Sequence, residues 1–148
     1  WTNPDAYLDM LRRFKAVCTP DFSTYTDFPK AVQIWNHYRK HWLGAYWQGN
    51  GITVIPTISW SDESSFEWCF DGEPVGGAVA VSSVGTQLNK RAAELFQLGY
   101  DEMLRRLNPS TIYFYGLVPE GISGPIVHVA AFQEQIKART TKPKESVV

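Results

Sequence analysis

Acidic, hydroxyl and aromatic side chains follow the predicted strands of this chain at the points where the strands end. They are Asp21, Ser23 and Tyr25 after the first strand, Trp60 and Asp62 after the second, Ser82 after the third and Tyr115 after the fourth. Two carboxylates can divide acid and base roles, or hold a divalent cation through oxygen ligands. We therefore predict Asp21 and Asp62 as catalytic residues and the others as ligand- or partner-binding residues. The alternatives are that each aspartate serves its own turn and that Trp60 belongs to the core.

Two histidines four residues apart form a second candidate. His37 and His41 share one face of a predicted helix, a spacing that can ligate a metal ion. The residue after His37 is Tyr38, so the His-Glu-x-x-His pattern of zinc proteases is absent. Because no third ligand is identifiable, we favour solvated histidines and predict no metal site.

The same helix carries a cationic patch. Arg39 is a candidate anion clamp. The patch of His37, Arg39, Lys40 and His41, with Trp42 and Trp47, offers groups that bind phosphates and stack on bases. A charged outer helix face is the alternative. No glycine-rich segment has the spacing of a dinucleotide or phosphate loop, and Ser82 lacks the Gly-x-Ser-x-Gly elbow of serine hydrolases. The sequence therefore identifies no cofactor.

Alternating strands and long helices must position these side chains. Apolar runs at 16–18, 52–58, 79–81 and 111–115 predict strands, and long periodic segments beginning at Phe28 and Leu88 predict helices between them. Shorter predictions are a helix over 4–14, a strand or extended segment over 66–70, a strand over 126–129 and a last helix over 130–137. Strand–helix–strand order predicts an α/β fold with a mostly parallel sheet of about four to five strands, either open and doubly wound or resembling part of a β/α barrel. In both architectures ligands bind at the carboxyl ends of the strands.

Periodicity also predicts which face of the first long helix is buried. The apolar stripe predicted to face the core comprises Ala31, Ile34, Trp35, Tyr38, Trp42 and Tyr46. Gln33, His37, Lys40 and His41 are then expected to face solvent. Pro56 interrupts the strand that follows, and we expect an edge, a bulge or a bend there because proline cannot donate to a ladder.

Bulk composition narrows the class of protein. The 148 residues predict one domain over 1–139 and a disordered tail over 140–148. A formal net charge of −1 gives no general attraction to nucleic acid or anionic membranes, and no run approaches the about 20 apolar residues of a membrane span. Cys18 and Cys69 are expected to be buried, reduced thiols.

Several segments taken together resemble one known family. They are TPDFSTYTDFP, WNHYRKHWLGAYWQGNGITVIPTISW, FEWCFDGEP, AVSSVG and LNPSTIYFYG, and they are similar to the DUF4417 family of bacteria, phages and mobile elements. The positions matching the pattern of that family are Asp21, Phe22, Ser23, Asn36, Tyr38, Arg39, Gln48, Gly51, Pro56, Trp60, Cys69, Phe70, Gly72, Ser82, Gly85, Pro109, Tyr115 and Gly116. The resemblance implies a prokaryotic or phage origin and a cytoplasmic setting, without implying an activity. It adds Asn36 to the candidate binding residues.

Two functions remain open from the sequence. The favoured one is a binding module that engages a host protein or nucleic acid through its aromatic surface. The alternative is a hydrolase-like enzyme, acting with or without a divalent metal, with its pocket at the carboxyl ends of the strands. Cofactor, partner and oligomeric state are not identified.

Overall fold

Parallel strands and two long helices make up the fold in a computed structural model that describes residues 1–132 and 134–136. The strands are β1 (Val17–Cys18), β2 (Val54–Ile55), β3 (Ala78–Ser82), β4 (Thr111–Tyr115) and β5 (Ile126–Val129). The α-helices are α1 (Leu8–Leu11), α2 (Lys30–Gly49) and α3 (Lys90–Leu107), and 3-10 helices span Pro4–Tyr7 and Glu63–Glu67. The predicted α/β class with a parallel sheet is confirmed.

The strands follow one another across the sheet in chain order. β1 pairs with β2, and β3, β4 and β5 pair in succession, always in parallel. An isolated bridge between Thr57 and Ala80 joins the two groups. The Ala80 N–H donates to the Pro56 carbonyl and the Ile58 N–H donates to the Ala80 carbonyl, both at 2.8 Å. β2 thus ends where Pro56 lacks an N–H, and the chain continues beside β3, which is the interruption expected at this proline.

The main core lies between α3 and the β3–β4 pair. Aromatic and aliphatic residues of α3 pack on Val79, Val81, Ile112 and Phe114, each at most 2 % exposed. The helical members are Phe96, Tyr100, Met103 and Leu107. α3 ends before Pro109, with Asn108 in the left-handed region (φ 41°) and its N–H donating to the Leu104 carbonyl. A smaller core joins Leu8 of α1 to the second half of α2.

The buried face of α2 is the opposite of the predicted one. Its buried residues are Gln33, Asn36, Lys40, Leu43, Gly44 and Trp47. Ile34, Trp35 and Tyr38 are 42–49 % exposed, and Trp42 is also exposed. The prediction is wrong because spacings of three and four recur in both stripes, and the polar stripe finds buried hydrogen-bond partners elsewhere in the chain.

Smaller predictions are also corrected. The segment 66–70 is not extended, since it completes the 3-10 helix Glu63–Glu67 and continues as a turn. The predicted helix over 4–14 is shorter, a 3-10 helix over Pro4–Tyr7 followed by α1, and Leu8 is its one buried residue. Cys69 is buried as expected, whereas Cys18 is exposed, and neither forms a disulfide. Residues 132 and 134–136 have the helical backbone predicted for 130–137, and the predicted tail 140–148 lies outside the described residues. The single-domain assignment stays a prediction.

Close contact between α3 and Trp60 requires glycine at position 99. A Cβ built there lies 2.1–2.3 Å from three atoms of the Trp60 indole. We predict that Gly99→Ala lowers the free energy of unfolding by about 1–3 kcal/mol, the usual cost of overpacking. Gly49→Ala, at the exposed end of α2 with no atom within 4 Å of the added Cβ, is the matched control. Urea denaturation measures the free energy of unfolding of both variants. Equal values for the two would contradict the prediction, because they would show that the Trp60 indole moves aside without cost.

Candidate functional site

The loop after β1 is fastened to the polar stripe of α2. The Asn36 side-chain amide donates to the Ser23 carbonyl at 2.7 Å, and Gln33 donates to the Tyr25 carbonyl at 3.1 Å. Asp21 is exposed in terms of surface area. The surrounding protein nevertheless removes part of the hydration of its carboxylate and so raises its pKa, and the positive charge of Lys40 opposes this effect. The structure therefore brings Asn36 together with the loop that carries Asp21, Ser23 and Tyr25.

Arg39 is turned toward that loop. Its guanidinium donates to the Asn36 side-chain oxygen and lies 4.1 Å from the centroid of the Phe22 ring. The charge is thus engaged by an amide and an aromatic face. Its Nε is buried and has no hydrogen-bond partner among the described residues.

The two candidates after β2 make local packing and capping contacts. The Trp60 indole N–H donates to the Leu95 carbonyl at 3.1 Å, and the ring packs against Phe70 and Phe96. Asp62 accepts from the Ser64 N–H at 3.0 Å and from the Ser64 hydroxyl at 2.7 Å, which caps the 3-10 helix. These contacts match the alternatives stated for both residues.

The candidates after β3 and β4 lie side by side. Ser82 is in register with Tyr115, whose hydroxyl accepts from the Phe132 N–H at 3.0 Å. Three strand spacings separate β1 from β4, about 14 Å at the usual spacing. The predicted residues therefore share one edge of the sheet but are spread along it, and their part in function stays a prediction.

A cleft of about 550 Å³ lies elsewhere, between α2, β2 and the segment that leads into β3. It opens beside the first residue of β3 rather than beyond its last one. Its lining comprises Thr19, Lys40, His41, Gly44, Ala45, Gln48, Thr53, Val54, Ile55, Pro56, Gly72, Glu73, Pro74, Gly77 and Ala78. None of the predicted catalytic and binding residues lines this cleft, whereas Lys40 of the cationic patch and His41 of the histidine pair do.

A buried ion pair forms the polar wall of the cleft. Lys40 and Glu73 have side chains only 3 % and 1 % exposed, and the Lys40 Nζ lies 2.5 Å from the Glu73 Oε1. The same ammonium donates to the Thr57 carbonyl at 2.9 Å. Burial raises the pKa of Glu73, but contacts with His41 and Lys40 outweigh it, so the pKa lies below its usual value. The carboxylate is therefore charged at neutral pH.

Two histidines extend this cluster toward the surface. The His41 Nε2 lies 3.0 Å from the Glu73 Oε1, and the ring centroids of His37 and His41 are 4.3 Å apart. Burial, with the neighbouring Lys40, lowers the pKa of His37 to about 4. Gly72 has a φ of 75°, and a Cβ there would lie 3.2 Å from the His41 ring, so glycine permits this approach. The spacing of His37 and His41 predicts that they share one helix face. Nothing local in the sequence indicates that Glu73 lies opposite these two histidines.

The outward face of α2 carries a cluster of aromatic rings, here called the aromatic face: Trp1, Trp35, Tyr38 and Trp42, with Ile34 beside them. Trp1 packs edge-on against Trp35 and Trp42, with ring centroids 5.6 and 5.3 Å apart. Trp35 stacks on Tyr38 at 5.3 Å. The four rings remain 36–49 % exposed, so the cluster presents apolar surface to its surroundings.

Comparison with known proteins identifies the family. The family described as "Domain of unknown function (DUF4417)" matches residues 1–133. The chain belongs to DUF4417. This confirms the resemblance seen in the sequence, and it places Lys40, His41 and Glu73 inside the matched region.

DUF4417 relatives of this chain occur in bacteriophages. This chain is 47 % identical over 116 residues to a "Gene 1 protein" of Mycobacterium phage L5, and the match covers 78 % of this chain and 51 % of the relative. A "Gene 1 protein" of Mycobacterium phage D29 is 43 % identical over 116 residues, covering 78 % of this chain and 43 % of the relative. The chain thus spans about half the length of these relatives. No solved structure matches it. Among the described residues, neither long helix has the apolar length needed to cross a bilayer.

The buried ion pair supplies a stability prediction. Lys40→Met leaves the Glu73 carboxylate buried without its main partner and should lower the free energy of unfolding by about 3–5 kcal/mol. Lys40→Met/Glu73→Leu removes both charges and should recover most of that loss. Lys90→Met is the control, since the Lys90–Glu94 pair is exposed at 3.8 Å and such pairs contribute about 0–1 kcal/mol. Urea denaturation of the four proteins decides the matter. A double variant less stable than Lys40→Met would contradict the proposed origin of the loss.

Proposed function

We propose that this phage-associated protein is an interaction module that binds a host protein through the aromatic face of α2. The supporting observation is that Trp1 and the α2 residues Trp35, Tyr38 and Trp42 stay 36–49 % exposed while the polar stripe of α2 is buried. Trp and Tyr dominate the binding energy of protein interfaces because each buries a large area with few rotatable bonds. The partner implied by this chemistry presents an apolar patch with a polar rim.

A nucleic-acid partner is less well supported by the same surface. Single strands bind where free ring faces alternate with exposed cations. Here Trp35 stacks on Tyr38 and Trp42 stacks on Tyr46 with an interplanar angle of 5°, so these rings already cover part of one another. Arg39 is held by Asn36, and Lys40 is buried in its ion pair. The chain also has a formal net charge of −1.

The alternative function, an enzyme with its pocket at the strand ends, has weaker support. Asp62 caps a 3-10 helix, and the cleft found in the structure does not include Asp21. A pair of carboxylates acting together needs both groups within reach of one substrate. We therefore place the interaction function first.

Truncation of two rings of the aromatic face should strongly weaken binding while leaving the fold intact. A photoreactive phenylalanine analogue at position 38 should cross-link a discrete protein in a mycobacterial lysate, and mass spectrometry identifies that protein. This partner is then purified and titrated against the chain in a calorimeter. Its affinity should fall by at least about 700-fold with Trp35→Ala/Trp42→Ala, because two interface aromatics of about 2 kcal/mol or more each are removed.

Phe132→Ala is the matched control, because this ring is 67 % exposed and lies outside the aromatic face. Its affinity for the partner should equal that of the unaltered chain. The proposal would be overturned if the double Trp variant bound the partner as tightly as the unaltered chain. It would also be overturned by tryptophan-dependent binding of a labelled oligonucleotide with no protein partner. A third such result is sedimentation showing that the aromatic face only joins two copies of this chain.

A further inference from the structure

Three potential metal-ligating side chains from two segments converge beside the cleft. His37 and His41 lie one turn apart on α2, and Glu73 approaches from the segment before β3. One ligand atom from each lies within 4.8 Å of the others. Donor atoms of a tetrahedral zinc site lie roughly 3.3 Å apart, given Zn–N and Zn–O distances of about 2.0–2.1 Å. Small side-chain rotations would therefore bring the three donors to a single ion.

The Glu73 carboxylate has one oxygen atom without a partner, and this oxygen could bind a metal ion. Glu73 is 1 % exposed, its Oε1 contacts Lys40 and His41, and its Oε2 is buried with no hydrogen-bond partner among the described residues. A buried carboxylate oxygen without a partner is costly, and native structures usually satisfy such atoms with a donor, a water or an ion. This observation is independent of the histidine spacing, and it also points to a ligand.

We infer that His37, His41 and Glu73 form a binding site for a transition-metal ion of the Zn²⁺ class. Two imidazole nitrogens and one carboxylate oxygen suit Zn²⁺, while Mg²⁺ and Ca²⁺ prefer oxygen ligands alone. Three protein ligands leave one tetrahedral position for an exchangeable ligand. Because His41 and Glu73 both line the cleft of about 550 Å³, that position would be accessible from the cleft.

Lys40 is the competitor of the metal ion. Its ammonium holds the Glu73 Oε1 at 2.5 Å and is itself held by the Thr57 carbonyl at 2.9 Å. A divalent cation bound through the carboxylate would meet this positive charge at short range. Removal of the lysine charge should therefore strengthen metal binding. The gain in affinity should be smaller if the two histidines alone bound the ion, because Lys40 contacts the carboxylate.

Titration of the metal-free protein with ZnCl₂ in a calorimeter tests the site, and Co²⁺ serves as a spectroscopic probe. The expected result is one Zn²⁺ per chain and a visible Co²⁺ absorption typical of four-coordination. His37→Ala and His41→Ala should each weaken Zn²⁺ binding by at least about 100-fold, since even outer-shell changes cost about 10–100-fold. His128→Ala is the matched control, because it removes the third histidine, which lies on β5, and it should leave the affinity unchanged.

Two further variants separate this site from simpler explanations. Glu73→Gln should weaken binding, and Lys40→Met should tighten it; circular dichroism establishes that each is folded, and the histidine variants decide alone if either is not. Binding that survives Glu73→Gln unchanged would overturn the three-ligand site in favour of a surface histidine pair. Weak binding of several ions, reduced equally by His37→Ala and His128→Ala, or no binding at all, would overturn it outright.

Discussion

The contact between the Lys40 ammonium and the Glu73 carboxylate constrains the rest of this structure. Both charges are almost completely buried, and neither would be stable there without the other. Because the ammonium also donates to the Thr57 carbonyl, one side chain joins α2, the end of β2 and the segment before β3. Those three parts are otherwise connected by few backbone contacts, since β2 and β3 meet only through the Thr57–Ala80 bridge and its neighbouring hydrogen bonds.

That contact also determines which way α2 faces. A helix with Lys40 inward places Gln33 and Asn36 inward as well, and both find carbonyl acceptors in the loop after β1. Trp35 and Tyr38 then face outward with about half of each side chain exposed, and burial of the exposed half would contribute roughly 1 kcal/mol for each ring. The fold leaves this stabilisation unused. A partner that covers the aromatic face would recover it, which links the buried polar stripe to the proposed interaction.

Sequence reasoning succeeds here where the interactions are local. The β-branched and aromatic run Thr111–Tyr115 is a strand with those bounds, and Pro56 interrupts pairing as its missing N–H dictates. The face of α2 is a different problem, because two stripes fit the helical period and the choice depends on partners far along the chain. Glu73 lies 32 residues from His41, and no local pattern indicates their contact. Topology alone indicates the strand-end residues, and topology locates an edge of the sheet but not a pocket.

The position of the cleft follows from the order of the strands. Crevices at the carboxyl edge of open parallel sheets form where the strand order reverses. Here the order runs from β1 to β5 without reversal, so the carboxyl edge has no such point. The gap arises where hydrogen bonding changes from the β1–β2 pair to the β3–β5 group, beside Pro56. At this junction the Thr57 carbonyl accepts a hydrogen bond from the Lys40 ammonium at 2.9 Å, so the buried ion pair with Glu73 lies beside the gap between the two groups of strands.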